Sequence, residues 1–162
     1  MFNISHFMGR LKIEAEPTPV EINLAETALI VIDMQKDFLK RGGYGESLGN
    51  SPDLLARTIA PIQGVIKAAR DRAMFVVYTR EGHLPDLSDC PGTKLLRWPE
   101  GSRIGDKGPM GRILIRGEEG HGIIYEVAPL PDETIIDKPG TDSQKVLQAL
   151  SSTPHDQVEP TI

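Results

Sequence analysis

A chain of 162 residues with 18 Lys and Arg against 23 Asp and Glu carries a formal charge of −5, too acidic for neutralising nucleic-acid phosphates to be its main business. Hydrophobic residues at 39% and charged residues at 25% are ordinary for one globular domain, of a length that buries roughly 70% of the surface its unfolded chain exposes. With 16 Gly and 13 Pro, much of the chain is expected to be loop between short elements.

Residues 1–24 are polar, contain Pro17 and Pro19 and show neither helical nor strand periodicity, so they read as an N-terminal leader on the domain surface. No continuous apolar stretch marks a signal peptide there, and no apolar run approaches the ~18 residues of a membrane span. Cys90 is the one cysteine, so no internal disulfide forms, and a reducing, cytoplasmic setting is the expectation. Neither nucleic acid nor membrane is expected as a partner.

The run Ala28-Leu29-Ile30-Val31-Ile32, ending in Asp33, has the pattern of a strand covered on both faces of a parallel sheet. Ser51-Pro52-Asp53 is a helix-start signature. Apolar residues then recur at Leu54, Leu55, Ile59, Ile62, Val65, Ile66 and Ala69, which predicts a long amphipathic helix bent at Pro61. A second strand follows at residues 74–78, and the order strand, helix, strand predicts a right-handed parallel crossover and an α/β fold.

Between Arg80 and Leu130 lies a stretch studded with Gly and Pro and carrying Trp98, too long for a plain connection and read as a lid. A short strand is expected within it at residues 112–115. Residues 134–137 form a third sheet strand running into Lys138, with Pro139 ending it. Residues 143–150 read as a helix, followed by a polar tail with Pro154 and Pro160.

Side chains at the carboxyl ends of adjacent parallel strands converge on one crevice, because neighbouring strands lie only ~4.8 Å apart. Asp33 and Lys138 each end such a strand, and as a pair they suit proton transfer on a bound carbonyl compound; the plainer alternative is a salt bridge closing the sheet edge. Phosphatase folds with a strand-end Asp nucleophile place a second Asp two residues on, where this chain has Gln35. The loop at residues 42–49 lacks the strand-to-helix placement of a dinucleotide fingerprint, and residues 140–145 lack the second Gly of a phosphate loop.

The segments Ala28 to Leu39, Gly42-Gly43-Tyr44, Tyr78-Thr79-Arg80-Glu81-Gly82-His83 and Thr134-Ile135-Ile136-Asp137-Lys138-Pro139-Gly140 together resemble the isochorismatase-like cysteine hydrolases. Residues 79–87 and 111–118 are most similar to the biuret and ureido amidohydrolase branch. The resemblance runs from Ala25 to Gly140. It divides the chain into a leader (1–24), the N-terminal part of an isochorismatase-like domain (25–140) and a divergent C-terminal helix and tail (141–162). The implied fold is an α/β, incomplete Rossmann-like parallel sheet flanked by helices.

In that family an Asp, a Lys and a Cys form the catalytic triad, and the resemblance places the first two on Asp33 and Lys138. A free thiol is only a few per cent ionised at neutral pH, so the carboxylate takes its proton while the cation stabilises the thiolate. Backbone N–H groups beside the Cys then hold the oxyanion formed on an amide or ureido carbonyl. The resemblance also implies substrate contacts for Phe38, with a core role as its alternative, and for Arg80 and Glu81, with bracing of the lid as theirs.

The family's Cys-bearing segment has no counterpart after Gly140, so a truncated and inactive product, or a non-catalytic subunit that binds a full-length relative, is the expectation. Cys90, in Ser88-Asp89-Cys90-Pro91, has neither a following helix nor an oxyanion-binding turn and reads as a loop thiol. Glu81 and His83 fall near metal-ligand positions of related nicotinamidases, but the other ligands have no match, so neither metal nor cofactor is expected. His121 and His155 are expected at the surface. The small amide or ureido substrate of the complete family member is the expected ligand, and association into a homo-oligomer through an uncovered sheet edge is expected.

Overall fold

The computed structural model describes residues 9–140 together with Gln148 and Ser151. The helix expected at residues 143–150 and His155 lie, almost entirely, outside the described residues. The leader departs from its expected irregular form, because Arg10–Ile13 (β1) and Val20–Asn23 (β2) pair antiparallel into a hairpin. Each strand has only four residues and stays largely exposed, too short for an alternating pattern to stand out. Asn23 then caps a 3-10 turn, Leu24–Glu26, by accepting from the Ala25 N–H.

The central sheet has three parallel strands in the order β3, β4, β7: Ala28–Ile32 (β3), Phe75–Glu81 (β4) and Thr134–Lys138 (β7). The order differs from the expectation in one consequential way. Asp33 and Lys138 do not end adjacent strands; β4 runs between theirs. Expected cover on both faces of β3 is also incomplete, since Val31 is buried but Ile32 is 62% exposed.

Two short helices, Lys36–Leu39 (α1) and Tyr44–Ser47 (α2), follow β3. The long helix expected from Ser51 is in fact two. Ser51 accepts from the Leu54 N–H and Pro52 starts Pro52–Ala56 (α3); after a turn, Ile59–Arg70 (α4) begins. Pro61 falls in the first turn of α4, where its missing N–H costs nothing, so the break precedes it rather than a bend forming at it. Ile66 and Ala69 on α4 pack against Val76 and Tyr78 of β4, together with Val31, Met34 and Leu39. Full burial of a side chain such as Ile66 contributes about 2–3 kcal/mol. Arg70 closes that helix onto the chain before β7 through two bonds to Glu133, 2.8 and 2.7 Å, and one to the Tyr78 hydroxyl.

The lid folds back over the sheet end with little regular structure. It contains Gly92–Leu95 (α5) and the two-residue strands Lys107–Gly108 (β5) and Gly111–Arg112 (β6), then a 3-10 turn, Tyr125–Val127. The strand expected at residues 112–115 therefore ends at Arg112; Leu114 is left-handed (φ 50°), which interrupts it, and Ile115 makes only an isolated bridge to His83. A second apolar cluster, Tyr44, Cys90, Ile104, Ile113, Leu114 and Ile115, holds the lid together.

Candidate active site

Asp33 directly follows β3 in a left-handed conformation (φ 52°), one that Asp tolerates better than most residues. Its N–H donates to the Thr79 carbonyl and its own carbonyl accepts from the Gln35 N–H, so the chain turns sharply where the carboxylate stands. The Thr79 hydroxyl donates to Asp33 Oδ1 at 2.7 Å, and the Lys138 ammonium donates to Oδ2 at 2.5 Å. Thr79 sits on the intervening strand, and the long lysine side chain reaches past it. The structure thus brings the two predicted residues together across β4. Lys138 is 5% exposed, and a buried ammonium requires such a partner.

Gln35 braces this end of the sheet, a role its local sequence does not announce. It is fully buried; its amide donates to the carbonyls of Glu81 and His121, and its Oε1 accepts from the Glu81 N–H at 2.6 Å. The side chain copies what a strand backbone would offer β4. Asp37, on α1, also braces through buried polar bonds. It accepts from the Leu114 N–H, tying α1 to the lid; burial pushes its carboxyl above the usual range, although that bond and one from the Tyr44 N–H pull the other way.

The remaining predicted residues separate. Arg80 makes two bonds to Asp137, 2.7 and 2.9 Å, and so braces β7 rather than the lid. Burial opposes the charge of Asp137, but His121 and Arg80 outweigh it and bring its pKa down to about 2. His121 is 2% exposed, which overturns its expected surface position. Gly82 leaves room for its ring, since a Cβ there would come within 2.4 Å of it. Its Nε2 lies 3.3 Å from Asp137 Oδ1 in a geometry too poor for a hydrogen bond. Phe38 packs against both apolar clusters.

Glu81 faces the lid, on the same side of the sheet as Lys138, its register partner. There the Lys94 ammonium of α5 donates to Glu81 Oε1 (2.6 Å) and the Pro139 carbonyl (2.9 Å) and meets His83 Nε2 at 2.9 Å. An ammonium only donates, so Nε2 accepts and Nδ1 carries the proton toward Asp89 Oδ1, 3.2 Å away. Burial, and then Lys94, push His83 below its ordinary value. Arg116 completes the set at Asp89 Oδ2. Lys94 thus clasps the lid to the ends of β4 and β7, and no short-range motif marks it for that position. Between them opens a cavity of about 590 Å³ lined by Glu81, Asp89, Pro91, Lys94, Arg97, Pro139 and Gly140.

Cys90 points into the second apolar cluster, and burial pushes its thiol up despite the nearby Lys94, the opposite of what activates a nucleophile.

The isochorismatase domain family matches residues 27–157, which extends past Gly140. The ureidoacrylate amidohydrolase RutB of Stutzerimonas stutzeri is 29% identical over 133 residues, 80% of this chain and 54% of that protein. RutB of Agrobacterium fabrum is 28% identical over 132 residues, 79% of this chain and 58% of its own length. The chain therefore spans a little over half of these curated relatives. A crystallised cysteine hydrolase from Pseudomonas syringae pv. phaseolicola superposes with a TM-score of 0.57 at 29% identity, covering 79% of this chain and 56% of that one. An N-carbamoylsarcosine amidase from Thermoplasma acidophilum, at TM-score 0.50 and 22% identity over 76% of this chain and 61% of its own, shares the fold.

Proposed function

Because the chain belongs to the isochorismatase family, we propose that it carries the acid–base component of a site that cleaves a C–N bond in a small amide or ureido compound. The observation that supports this most directly is the Asp33–Lys138 contact of 2.5 Å, recessed at the carboxyl end of the sheet. In such a site the carboxylate accepts the thiol proton as sulfur bonds to the carbonyl carbon. The carbonyl oxygen takes the electron pair and returns it as the C–N bond breaks, and the same carboxyl group hands its proton to the departing amine. Water then hydrolyses the thioester. Thr79 and Lys138 hold the carboxylate in place for both transfers.

The one thiol of these 162 residues, Cys90, packs in the second apolar cluster and makes no hydrogen bond to that pair, so the chain by itself should not turn over amides. Incubated with ureidoacrylate or a simple primary amide, the purified chain should release no ammonia above background, and Cys90→Ser should change nothing. Release that survives Cys90→Ser and vanishes in Asp33→Asn would overturn this inactivity.

A second reading, a non-catalytic subunit, draws on the sheet edges. Among the described strands both β3 and β7 have one side unpaired, and Ile32 (62%) and Ile135 (41%) stand exposed on them. Such edges favour pairing with another chain. Sedimentation velocity should therefore show the chain as dimers or larger species whose proportion rises with concentration. A single monomeric boundary at all concentrations would remove this reading.

A further inference from the structure

The outer side of β3 carries backbone groups that its own sheet does not use. Parallel pairing engages alternate residues, and the Asp33 N–H bonded to the Thr79 carbonyl fixes which: Leu29, Val31 and Asp33 face β4. The N–H and C=O groups of Ala28, Ile30 and Ile32 therefore point away from β4, and among the described residues no strand pairs with them. Beside this edge runs a groove of about 160 Å³, formed by Leu29 to Ile32 with Ile62 and Val65 of α4 among its walls. Every residue lining it is apolar, and Ile32 and Val65 stand exposed. Unpaired backbone next to bare apolar surface recruits an extended apolar strand.

We propose that this edge takes β3 of a second copy of the chain, antiparallel and centred on Ile30, so that two sheets join into one about a two-fold axis. This rests on the reading of the chain as an associating subunit and adds which edge associates, and with what.

Length, hydrogen bonding and helix placement all favour a copy of the same strand. The edge is five residues long, since the 3-10 turn at Leu24–Glu26 precedes it and the left-handed Asp33 turns the chain away after it. A second β3 fits that span. With Ile30 opposite Ile30 and Ala28 opposite Ile32, every free N–H meets a free C=O. A shift of one residue would set them against groups already spent on β4. On one face, α4 packs over β3 and β4 against Leu29 and Val31. In the joined sheet the two α4 helices stand two strand spacings apart, about 10 Å, a distance at which helices pack. Val65 of each is then covered by the other. The groove carries no charge, so two chains of net charge −5 meet there without like charges opposed. The other outer strand, β7, instead carries Asp137 and Lys138.

The test is sedimentation equilibrium of the full chain with two charge variants on α4. Val65→Glu sets like charges across the axis and should weaken dimerisation by about tenfold or more, as should Val65→Lys. Mixed in equal amounts, the two variants should associate about as tightly as the parent chain, because a two-fold contact sets residue 65 near its own image. Ile135→Lys, on β7, should change nothing. Val65 is exposed on its helix, so circular dichroism of both variants should match the parent chain. A measurement on the parent chain needs no variant: hydrogen exchange at the Ile30 and Ile32 amides should slow as concentration rises. Dimers that persist in both Val65 variants, or a mixture no tighter than either variant alone, would overturn the proposal and leave the association reading standing. A chain monomeric at every concentration would remove both. Slow exchange at those amides in a monomer would show that residues 141–162 cover the edge, which would also overturn it.

Discussion

Replacing Asp33 by alanine should lower the unfolding free energy by about 3–5 kcal/mol, the cost of leaving a buried ammonium without its counter-ion. Lys138 is 5% exposed and its Nζ lies 2.5 Å from Asp33 Oδ2, with no second carboxylate in contact among the described residues to replace the lost charge. Alanine also tolerates the left-handed backbone at this position less well than Asp, which adds to the loss. Asp33→Asn should be milder, because it keeps an acceptor for the Thr79 hydroxyl and suits the same backbone. Combining Asp33→Ala with Lys138→Met should recover much of the loss, since the stranded charge is then gone. Urea unfolding curves check all three variants, and a loss below about 1 kcal/mol in Asp33→Ala would mean that the ammonium finds water or another acceptor.

Gly120→Ala should cost about 2–3 kcal/mol, although it adds a single methyl group. A Cβ there would stand 2.3 Å from Asp37 Oδ1 and 2.4 Å from its Cγ, closer than atoms pack. Neither side has room to yield. The carboxylate is buried and bonded to the Leu114 N–H, while the Gly120 carbonyl accepts from the Asp37 N–H and its own N–H donates to the Met110 carbonyl. In an Asp37→Ala background the same substitution should cost less than about 1 kcal/mol, because its steric partner is gone. Gly64→Ala is the control. It lies within α4 with open space around its Cβ position, and there alanine should be neutral or stabilise by up to about 1 kcal/mol. Equal effects at Gly120 and Gly64 in chemical unfolding would show that the lid does not pack on α1 as described.

The sheet strands and the two charged residues at their ends are legible in the sequence because each rests on a local pattern. A β-branched run closed by a charged residue identifies a sheet strand and places a charge at its end. The helix after Ser51 is legible as an apolar period but not as two helices, since the period continues through a break that only backbone geometry imposes. The β1–β2 hairpin leaves no such trace, because four-residue exposed strands have no burial pattern to read. His121 shows the same limit from the other side: it lies in a polar, Gly-rich segment, yet it is buried by Gly82 and Asp137, which are distant in sequence. The place of Gln35, two residues past the strand-end Asp, is a faint signal, but its role depends on Glu81 and His121, which no spacing rule connects to it.

Residue order by itself determined the α/β class, the positions of the central strands, the family and the two charged groups at the strand ends, because hydrophobic period and residue chemistry act over a few neighbours. Tertiary structure alone decided that β4 separates those two groups and that Lys138 nonetheless reaches Asp33 across it. It also decided that Lys94 fastens the lid. Such facts follow from which distant side chains neutralise one another when water is excluded, and that is settled only when the chain has closed on itself.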